Sequence, residues 1–163
     1  MTHIYVLLGG LYGPDGAVDS GGMIDLARRL KPYGTVEIRF WSDYERVIHE
    51  IVLLPKDEHV ILVGFSGGGS RATWVAGAVN PREIALLVAY DPSPRWQMTP
   101  LHANVLKAIC YHNNSPLMFG LGGGHLQGRQ VTEVDIGEQH LLVQYDERLH
   151  TMTINAIKET VNV

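Results

Sequence analysis

Short apolar runs alternate with helical patterns along this chain, and the alternation constrains its fold more than any other feature. The stretches "HIYVLL", "HVILVGF" and "IALLVAY" (residues 3–8, 59–65 and 84–90) are apolar at nearly every position, which is typical of strands buried on both faces. Between them, residues 20–30 repeat apolar side chains at the i, i+3, i+4 and i+7 spacing of a helix. Because such strands must be covered on both sides, the pattern predicts a parallel sheet between two layers of helices.

The predicted fold is an α/β fold, a three-layer α/β/α sandwich with a mostly parallel sheet of about six strands. One domain over residues 1–163 accommodates all of these elements. No helical pattern separates the last two strands, so an antiparallel pairing near the C-terminus stays open. Strands are predicted over residues 3–8, 35–41, 59–65, 84–90, 104–112 and 130–136, and helices over 20–30, 44–54, 71–80 and 146–161.

The composition indicates a globular chain without an electrostatic footprint for nucleic acid or anionic membranes. Hydrophobic residues make up 45% and charged residues 18% of the sequence, and the net charge is −4. We therefore expect no nucleic-acid partner and no stable membrane insertion. The N-terminal "MTHIYVLLGG" lacks the basic segment and the cleavage site of a signal peptide. A cytoplasmic location is the expectation, and secretion of a mature chain stays open.

The stretch "LVGFSGGGS" (residues 62–70) joins a buried strand to a helix through four glycines. One interpretation is a phosphate-binding loop, in which two glycines at a fixed separation are followed by a lysine and a hydroxyl residue. Gly64 and Gly69 have that separation, but Ser70 and Arg71 occupy the next two positions. Such a loop has no lysine for the terminal phosphates and no hydroxyl for magnesium, which argues against a nucleotide site.

A second interpretation is the nucleophile turn of a serine hydrolase, since residues 64–68 match G-x-S-x-G between a strand and a helix. Ser66 would be the nucleophile. Side chains two positions to either side of it would collide with neighbouring backbone, which explains Gly64 and Gly68. Gly67 would offer its N–H to a developing oxyanion at the start of the helix. A third interpretation is a glycine-rich turn with a capping serine and no catalysis.

A serine nucleophile needs a histidine to accept its proton and a carboxylate to orient that histidine. In sheets of this kind the order along the chain is serine, acid, histidine. Asp91 follows the strand after the serine strand and is the favoured acid, with a turn-capping role before Pro92 as the competing interpretation. Asp135 is the reserve candidate, whereas Asp43 precedes the serine and breaks the order.

His140 is the favoured base among the eight histidines. It lies in the loop "GEQHLLVQYD" after the last strand and before the last helix, from where it can reach the end of the serine strand. His150 and His125 are the alternatives. The only cysteine, Cys110, lies in the apolar run "VLKAICY", which favours a buried and inert thiol.

The loop after the first strand can supply the second N–H of an oxyanion hole, from Gly10 or Leu11. The glycines at positions 9 and 10 would let the backbone approach a substrate, although they fit a plain strand end almost as well. The irregular segments 92–103 and 113–128 only partly roof this edge, so we expect an open cleft. Candidate lining residues, each of which also fits ordinary core packing, are Trp41, Trp96, Tyr12 and Met98.

These segments resemble the α/β-hydrolase superfamily over nearly the whole chain, through "YVLLGGLYG", "GGMIDLARRL", "HVILVGFSGGGS", "LLVAYDPSP" and "VTEVDIGEQH". They also resemble a compact group of lipase- or thioesterase-like proteins with a Gly-Met-x-x-Leu-Ala helix after the first strand. The resemblance implies Ser66 as nucleophile, Asp91 as acid and His140 as base. This chain departs from the superfamily by being short, by lacking the first antiparallel strands and by placing the acid one strand early.

The resulting hypothesis is a serine esterase, lipase or thioesterase that forms an acyl-enzyme and needs no metal or organic cofactor. The expected substrate is a small acyl ester, or an acyl chain on a bulky carrier or polymer, as in cutinase-like enzymes. Two alternatives stay open. One is a noncatalytic binding module of the same fold, and the other is an amide or peptide hydrolase with the same triad.

Overall fold

The computed structural model of the chain describes residues 1–10, 20–114 and 121–161 and contains a six-stranded sheet. The strands are β1 (Thr2–Leu8), β2 (Thr35–Phe40), β3 (His59–Phe65), β4 (Leu86–Tyr90), β5 (Ala108–His112) and β6 (Val131–Asp135). They lie in the order β2-β1-β3-β4-β5-β6, and every neighbouring pair is parallel. The predicted parallel sheet is therefore confirmed.

Helices cover both faces of this sheet: α1 (Gly21–Leu30), α2 (Tyr44–Leu53), α3 (Gly67–Ala78) and α4 (Glu147–Val161). One apolar core joins α1 and α4 to one face and includes Leu26 and Val63, whereas a second joins α2 and α3 to the other face and includes Leu62 and Val75. Because side chains alternate along a strand, Leu62 and Val63 enter different cores, which gives the predicted three-layer sandwich. Among the described residues, no helix has the length and apolar character needed to cross a bilayer.

The last two strands pair in parallel, so the antiparallel alternative left open from the sequence is wrong. In the described part of the connection between them, residues 121–130 form no helix and instead pack on the sheet through Leu126. A parallel pairing needs a connection long enough to return to the start of the neighbouring strand, and an irregular segment meets that need as well as a helix does.

Some element boundaries differ from the predicted ones. Ile84 and Val105 form only an isolated parallel bridge ahead of β4 and β5, so both strands are shorter than predicted. Helix α3 begins at Gly67 rather than at residue 71, and the glycines at 67–69 are buried in its first turn. Glycine destabilises a helix by about 1 kcal/mol relative to alanine, which is why a pattern-based prediction excludes these residues.

The parallel arrangement gathers the candidate site residues at one edge of the sheet. Ser66 follows β3 directly, and Asp91 follows the neighbouring strand β4 directly. His140 lies in the connection between β6 and α4. Since the carboxyl ends of parallel strands meet at the same edge, the first two residues are brought close by topology alone.

Candidate active site

Ser66 occupies the tight turn between β3 and α3 in a backbone conformation that side chains rarely adopt. Its φ of 54° and ψ of −121° lie in a region that favours glycine. A Cβ atom at Gly64 would lie 2.4 Å from the carbonyl oxygen of Gly68, and one at Gly68 would lie 2.2 Å from that of Leu7. Backbone atoms cannot move aside as side chains do, so both glycines have the steric role expected of them.

Gly69, for which the sequence alone offers no reason, brings α3 close to the loop after β4. A Cβ atom at Gly69 would lie 3.2 Å from the carbonyl oxygen of Gly64 and 3.2 Å from Cβ of Pro92. Beside it, the hydroxyl of Ser70 donates a hydrogen bond of 2.7 Å to the carbonyl oxygen of Ser93. The third glycine therefore permits a close contact between the serine turn and the loop that follows the next strand.

Asp91 directly follows β4 and has a fully buried side chain and a φ of 42°. Its Oδ1 accepts hydrogen bonds from the N–H groups of Asn113 (3.1 Å) and Gly123 (2.7 Å). Its Oδ2 lies 2.6 Å from Nδ1 of His140. A buried carboxylate is costly unless its oxygens are hydrogen-bonded, and these three contacts satisfy both of them. Asp91 thus faces a histidine instead of only capping a turn.

His140 connects Asp91 to Ser66. Its Nε2 lies 3.0 Å from Oγ of Ser66, and its ring stacks on Phe65 with the ring centroids 5.1 Å apart. When Nδ1–H donates to Asp91, Nε2 is left to accept the hydroxyl hydrogen of Ser66. The structure therefore brings the serine, the histidine and the aspartate selected from the sequence into one hydrogen-bonded line.

A glycine loop closes directly over the Asp91–His140 contact. A Cβ atom at Gly122 would lie 2.0 Å from Oδ2 of Asp91 and 2.3 Å from Nδ1 of His140, so no side chain fits at this position. Main chain covers the contact in place of a side chain, and Asp91 and His140 are 0% and 4% exposed. The sequence shows glycines at 122–124 but gives no sign of what they cover.

Main-chain hydrogen bonds tie the serine turn to the loop that carries the aspartate. The N–H of Ser66 donates to the carbonyl oxygen of Tyr90 (2.9 Å), and the N–H of Ser93 donates to the carbonyl oxygen of Ser66 (3.2 Å). These bonds fix Ser66 relative to the end of β4. Ser93 also lines the pocket beside Ser66, a role that sequence reasoning missed.

The oxyanion donors expected from the sequence lie beside Ser66, with one exception. Gly67 is the first residue of α3, so the helix itself supplies no acceptor for its N–H. Gly10 lines the same pocket as Ser66. Leu11, the other expected donor, lies outside the described residues.

The carboxylates kept in reserve lie in other contacts. Asp135 accepts a hydrogen bond of 2.6 Å from the side-chain amide of Asn114. Asp43 accepts a hydrogen bond of 3.3 Å from the N–H of Phe40. Among the described carboxylates, Asp91 is the one in contact with the histidine beside Ser66.

The alternative histidines have other partners too. His150 is buried in α4, where its Nε2 donates a hydrogen bond of 2.7 Å to the carbonyl oxygen of Gln144. Burial lowers the pKa of His150 below its ordinary value, so the neutral imidazole is favoured. His125 lies 2.7 Å from the carboxylate of Glu133. Neither is placed as a base for the serine.

Aromatic side chains form one wall beside Ser66. Trp96 lines the pocket, and Trp41 lies against it with the ring centroids 4.3 Å apart. The guanidinium of Arg71 lies 4.7 Å from the ring centroid of Tyr44 and 5.3 Å from that of Trp96. Arg71, which the sequence did not single out, therefore lies among the aromatic rings of this wall.

Three further residues can be compared with their expected places. Met98 packs against the second core, and Tyr12 lies outside the described residues. Cys110 is buried, and burial raises the pKa of its thiol to about 12, which keeps the thiol protonated unless a metal ion displaces the proton. Cys110, His112 and Glu133 come together as a group that is able to hold a metal ion.

No family model matches the sequence, and no curated protein matches it significantly. Solved structures do match. A candidate hydrolase of the alpha/beta superfamily from Xanthomonas campestris pv. campestris is 18% identical, with 98% of each chain covered and a TM-score of 0.57. A candidate YdeN-like hydrolase from Pectobacterium atrosepticum is 18% identical over 98% of this chain and 92% of that chain, with a TM-score of 0.63. A cutinase-like protein from Cryptococcus sp. is 12% identical over 98% and 94%, with a TM-score of 0.56.

The chain therefore has the α/β-hydrolase fold, and its resemblance to that superfamily is confirmed at the level of the fold. Over residues 1–10, 20–114 and 121–161 the strands of the sheet all pair in parallel. One fold supports many chemistries, so the activity has to be argued from the site itself.

Proposed function

We propose that this protein is a serine hydrolase that cleaves carboxylic ester or thioester bonds through a covalent acyl-serine. The observation that carries the proposal is the hydrogen-bonded line from Ser66 Oγ through His140 to Asp91, with distances of 3.0 and 2.6 Å. A serine hydroxyl is a weak nucleophile, and a base held in this orientation makes it reactive. A serine that only capped a helix would need neither the strained backbone nor the buried carboxylate.

In the first half of the reaction, Oγ of Ser66 attacks the substrate carbonyl carbon while Nε2 of His140 takes the hydroxyl proton. Asp91 keeps its hydrogen bond to Nδ1 and stabilises the imidazolium. The carbonyl oxygen becomes an oxyanion, which accepts hydrogen bonds from the N–H groups of Gly67 and Gly10. The tetrahedral intermediate then collapses, and the leaving group departs as an alcohol or thiol with the proton from His140.

In the second half, water replaces the leaving group. Nε2 of His140 takes a proton from the water as its oxygen attacks the acyl carbon of the ester on Ser66. The same N–H groups stabilise the second oxyanion, and collapse returns the proton to Oγ of Ser66. The products are the free acid and the regenerated enzyme, so the cycle consumes one water for each bond cleaved.

The substrate class that we propose is an acyl ester on a bulky carrier or polymer. The wall of Trp96 and Trp41 supplies apolar surface on one side of Ser66, which suits an acyl chain. Residues 91–107 form no helix that would roof this edge of the sheet. An edge without a helical roof over these residues would accept a large leaving group, and the structural likeness to a cutinase-like protein agrees with such a substrate.

The first experiment compares wild type with Ser66→Ala on p-nitrophenyl butyrate. We expect the substitution to lower kcat at least about 10⁴-fold, because it removes the attacking atom. The melting temperature should barely change, since alanine keeps the same backbone strain. Thr151→Val, on the exposed surface of α4, is the control and should keep the wild-type rate. Equal rates for wild type and Ser66→Ala would refute the proposal.

A fluorophosphonate probe separates an enzyme from a binding module of the same fold. Only a serine activated by a base reacts with it, so mass spectrometry should find one adduct per chain on Ser66 and none on Ser66→Ala. A panel of matched ester, thioester and anilide substrates then defines the bond cleaved. Comparable turnover of the anilide would favour the amide hydrolase instead.

A further inference from the structure

A second group of titratable side chains takes no part in the proposed chemistry. Cys110 and His112 lie on β5, and Glu133 lies on β6. The sulfur of Cys110, a ring nitrogen of His112 and a carboxylate oxygen of Glu133 all lie within 4.8 Å of one another. His125, from the segment before β6, adjoins the group, with its Nδ1 2.7 Å from Oε2 of Glu133.

The parallel pairing of the last two strands explains why these residues meet. Cys110 lies directly opposite Glu133, and His112, two residues on from Cys110, shares its face of the sheet. Helix α3 packs on β1, β3 and β4, whereas residues 121–130 cover this face of the last two strands. His125 belongs to this covering segment, and its side chain contacts Glu133 on the strand below.

Within the described part of the chain, hydrogen bonds leave the buried Nδ1 of His112 unsatisfied. Its side chain is 7% exposed, and its Nδ1 lies 2.9 Å from Oε2 of Glu133. The two atoms are not aligned for a hydrogen bond, and within the described part of the chain this buried nitrogen has no other partner. The same oxygen of Glu133 is already in contact with His125. A buried nitrogen left in this way is costly, and a cation bound between these side chains would satisfy it.

We propose that Cys110, His112, His125 and Glu133 bind a divalent ion of the zinc class. A thiolate, two imidazoles and a carboxylate are donors that Zn²⁺ and Co²⁺ take in tetrahedral sites, whereas Ca²⁺ and Mg²⁺ prefer oxygen donors. With bonds of about 2.0–2.3 Å, tetrahedral ligand atoms lie about 3.3–3.8 Å apart. The donor atoms of Cys110, His112 and Glu133 lie at most 4.8 Å apart, whereas the two imidazole nitrogens lie only 2.9 and 2.7 Å from the carboxylate oxygen. Some of these atoms therefore need to approach and others to separate, each by about 1 Å or less, which side-chain rotation can supply.

The exposure of the four side chains gives the ion a path into the site. Cys110 and His112 are buried, whereas the side chains of Glu133 and His125 are 34% and 52% exposed. An ion would meet the carboxylate and the outer imidazole first and then reach the thiol. The thiol releases its proton when the metal–sulfur bond forms, which favours thiophilic ions over hard ones.

The ion would also fix the main chain that donates hydrogen bonds to Asp91, in the connection between β5 and β6. Asn113 directly follows His112, and Gly123 lies two residues before His125. The N–H groups of Asn113 and Gly123 are the two main-chain donors to Oδ1 of Asp91. A metal ion that joins His112 to His125 therefore fixes both donors, and its role is structural.

Titration of the chelator-treated full-length chain with Co²⁺ alone tests the proposal. We expect one Co²⁺ per chain, with the near-ultraviolet charge-transfer band of a thiolate ligand and visible bands of tetrahedral cobalt. Zn²⁺ should displace the cobalt and erase both signals. Zn²⁺ at about 100 times its dissociation constant should raise the melting temperature by roughly 5–10 °C. A chain that shows no charge-transfer band at saturating Co²⁺ would overturn the proposal.

Variants identify the ligands. Cys110→Ser should abolish the charge-transfer band, and Glu133→Gln and His125→Ala should each weaken Co²⁺ binding by more than about 100-fold. His102→Ala, which removes an exposed histidine outside the group, should bind Co²⁺ as tightly as wild type. If Cys110→Ser fails to fold, Glu133→Gln still decides the matter, because its side chain is partly exposed and isosteric. Unchanged Co²⁺ affinity in Glu133→Gln and His125→Ala would show adventitious binding and refute the site.

Discussion

Gly122→Ala tests the contact between Asp91 and His140 without changing either residue. The added Cβ atom would lie 2.0 Å from Oδ2 of Asp91 and 2.3 Å from Nδ1 of His140, whereas real Cβ atoms essentially never lie within 3.0 Å of another heavy atom. The two polar atoms are themselves 2.6 Å apart. They must therefore move by about 1 Å to admit the methyl group, which takes the contact beyond hydrogen-bonding distance.

The expected loss of kcat follows from the role of the hydrogen bond between Asp91 and His140. Without it, His140 is free to rotate and to adopt the tautomer that cannot accept the proton of Ser66. In triads of this kind, losing the contact to the acid lowers kcat about 10⁴-fold, or about 5.5 kcal/mol of barrier. We expect Gly122→Ala to lower kcat about 10³- to 10⁴-fold and to change KM less than about threefold, since the aromatic wall is untouched.

The assay is p-nitrophenyl butyrate hydrolysis at saturating substrate, with melting temperatures measured on the same samples. Gly128→Ala is the matched control: it lies in the same segment, and its Cβ atom would lie 3.0 Å from the flexible end of Gln130 and 3.1 Å from Cβ of Leu101, contacts that a shift of a few tenths of an ångström relieves. Combining Gly122→Ala with Asp91→Asn should cost little more than either change alone, because both disable the same contact. A folded Gly122→Ala protein that keeps more than about a tenth of the wild-type kcat would refute this reasoning.

Three further predictions concern the fold around the site. Ser66→Gly relieves a non-glycine residue at φ 54°, so it should raise the melting temperature by about 3 °C, or about 1 kcal/mol, while abolishing ester turnover. Thr153→Val removes the hydroxyl that lies 2.6 Å from the buried hydroxyl of Tyr90, and it should cost about 2 kcal/mol in urea unfolding. Burial lowers the pKa of His150 below 6.5 in the folded chain, so the unfolded chain takes up this proton at higher pH. The contribution of His150 to the free energy of unfolding is therefore fully present above about pH 6.5 and is lost as the pH falls below that value. Urea midpoints of wild type and His150→Gln at several pH values will measure this loss.

Each of these predictions has a control within the chain. Ser66→Ala keeps the strained backbone, so it should show no gain in melting temperature, and equal stability of the glycine and alanine variants would contradict the strain argument. Thr151→Val removes an exposed hydrogen bond of 2.9 Å to the carbonyl oxygen of Glu147 on α4, and it should change the urea midpoint little because water replaces that bond. A loss in Thr153→Val no larger than in Thr151→Val would contradict the role of the buried hydroxyl. His150→Gln should flatten the fall in stability below about pH 6.5, and an unchanged profile would assign that fall to another group.

The sheet and the serine turn could be predicted because they depend on short-range patterns. Continuous apolar runs mark strands buried on both faces, and G-x-S-x-G between a strand and a helix marks the turn at Ser66. The placement of Asp91 beside it follows from the parallel order, since the carboxyl ends of neighbouring strands share one edge. The choice of His140 followed from its position after the last strand.

The supporting contacts could not be predicted because they join residues that are distant in sequence. Nothing local indicates that Gly122 covers Asp91, or that Gly123 and Asn113 donate to its carboxylate. The same holds for Cys110 and Glu133, which meet only because β5 and β6 pair in parallel with a particular register. The start of helix α3 at Gly67, ahead of the predicted residue 71, has a related reason. Its first glycines have low helix propensity, and close tertiary contacts hold them in the helix.

The two described residues other than glycine with positive φ are Ser66 and Asp91, at the ends of neighbouring strands. Selection for folding stability alone would replace both by glycine, because glycine adopts these conformations without strain. Laboratory evolution under selection for thermal stability alone should therefore introduce glycine at these two positions and give a more stable protein that lacks the proposed activity. If the proposed function is right, serine and aspartate at these two positions reflect selection for activity at a cost in stability.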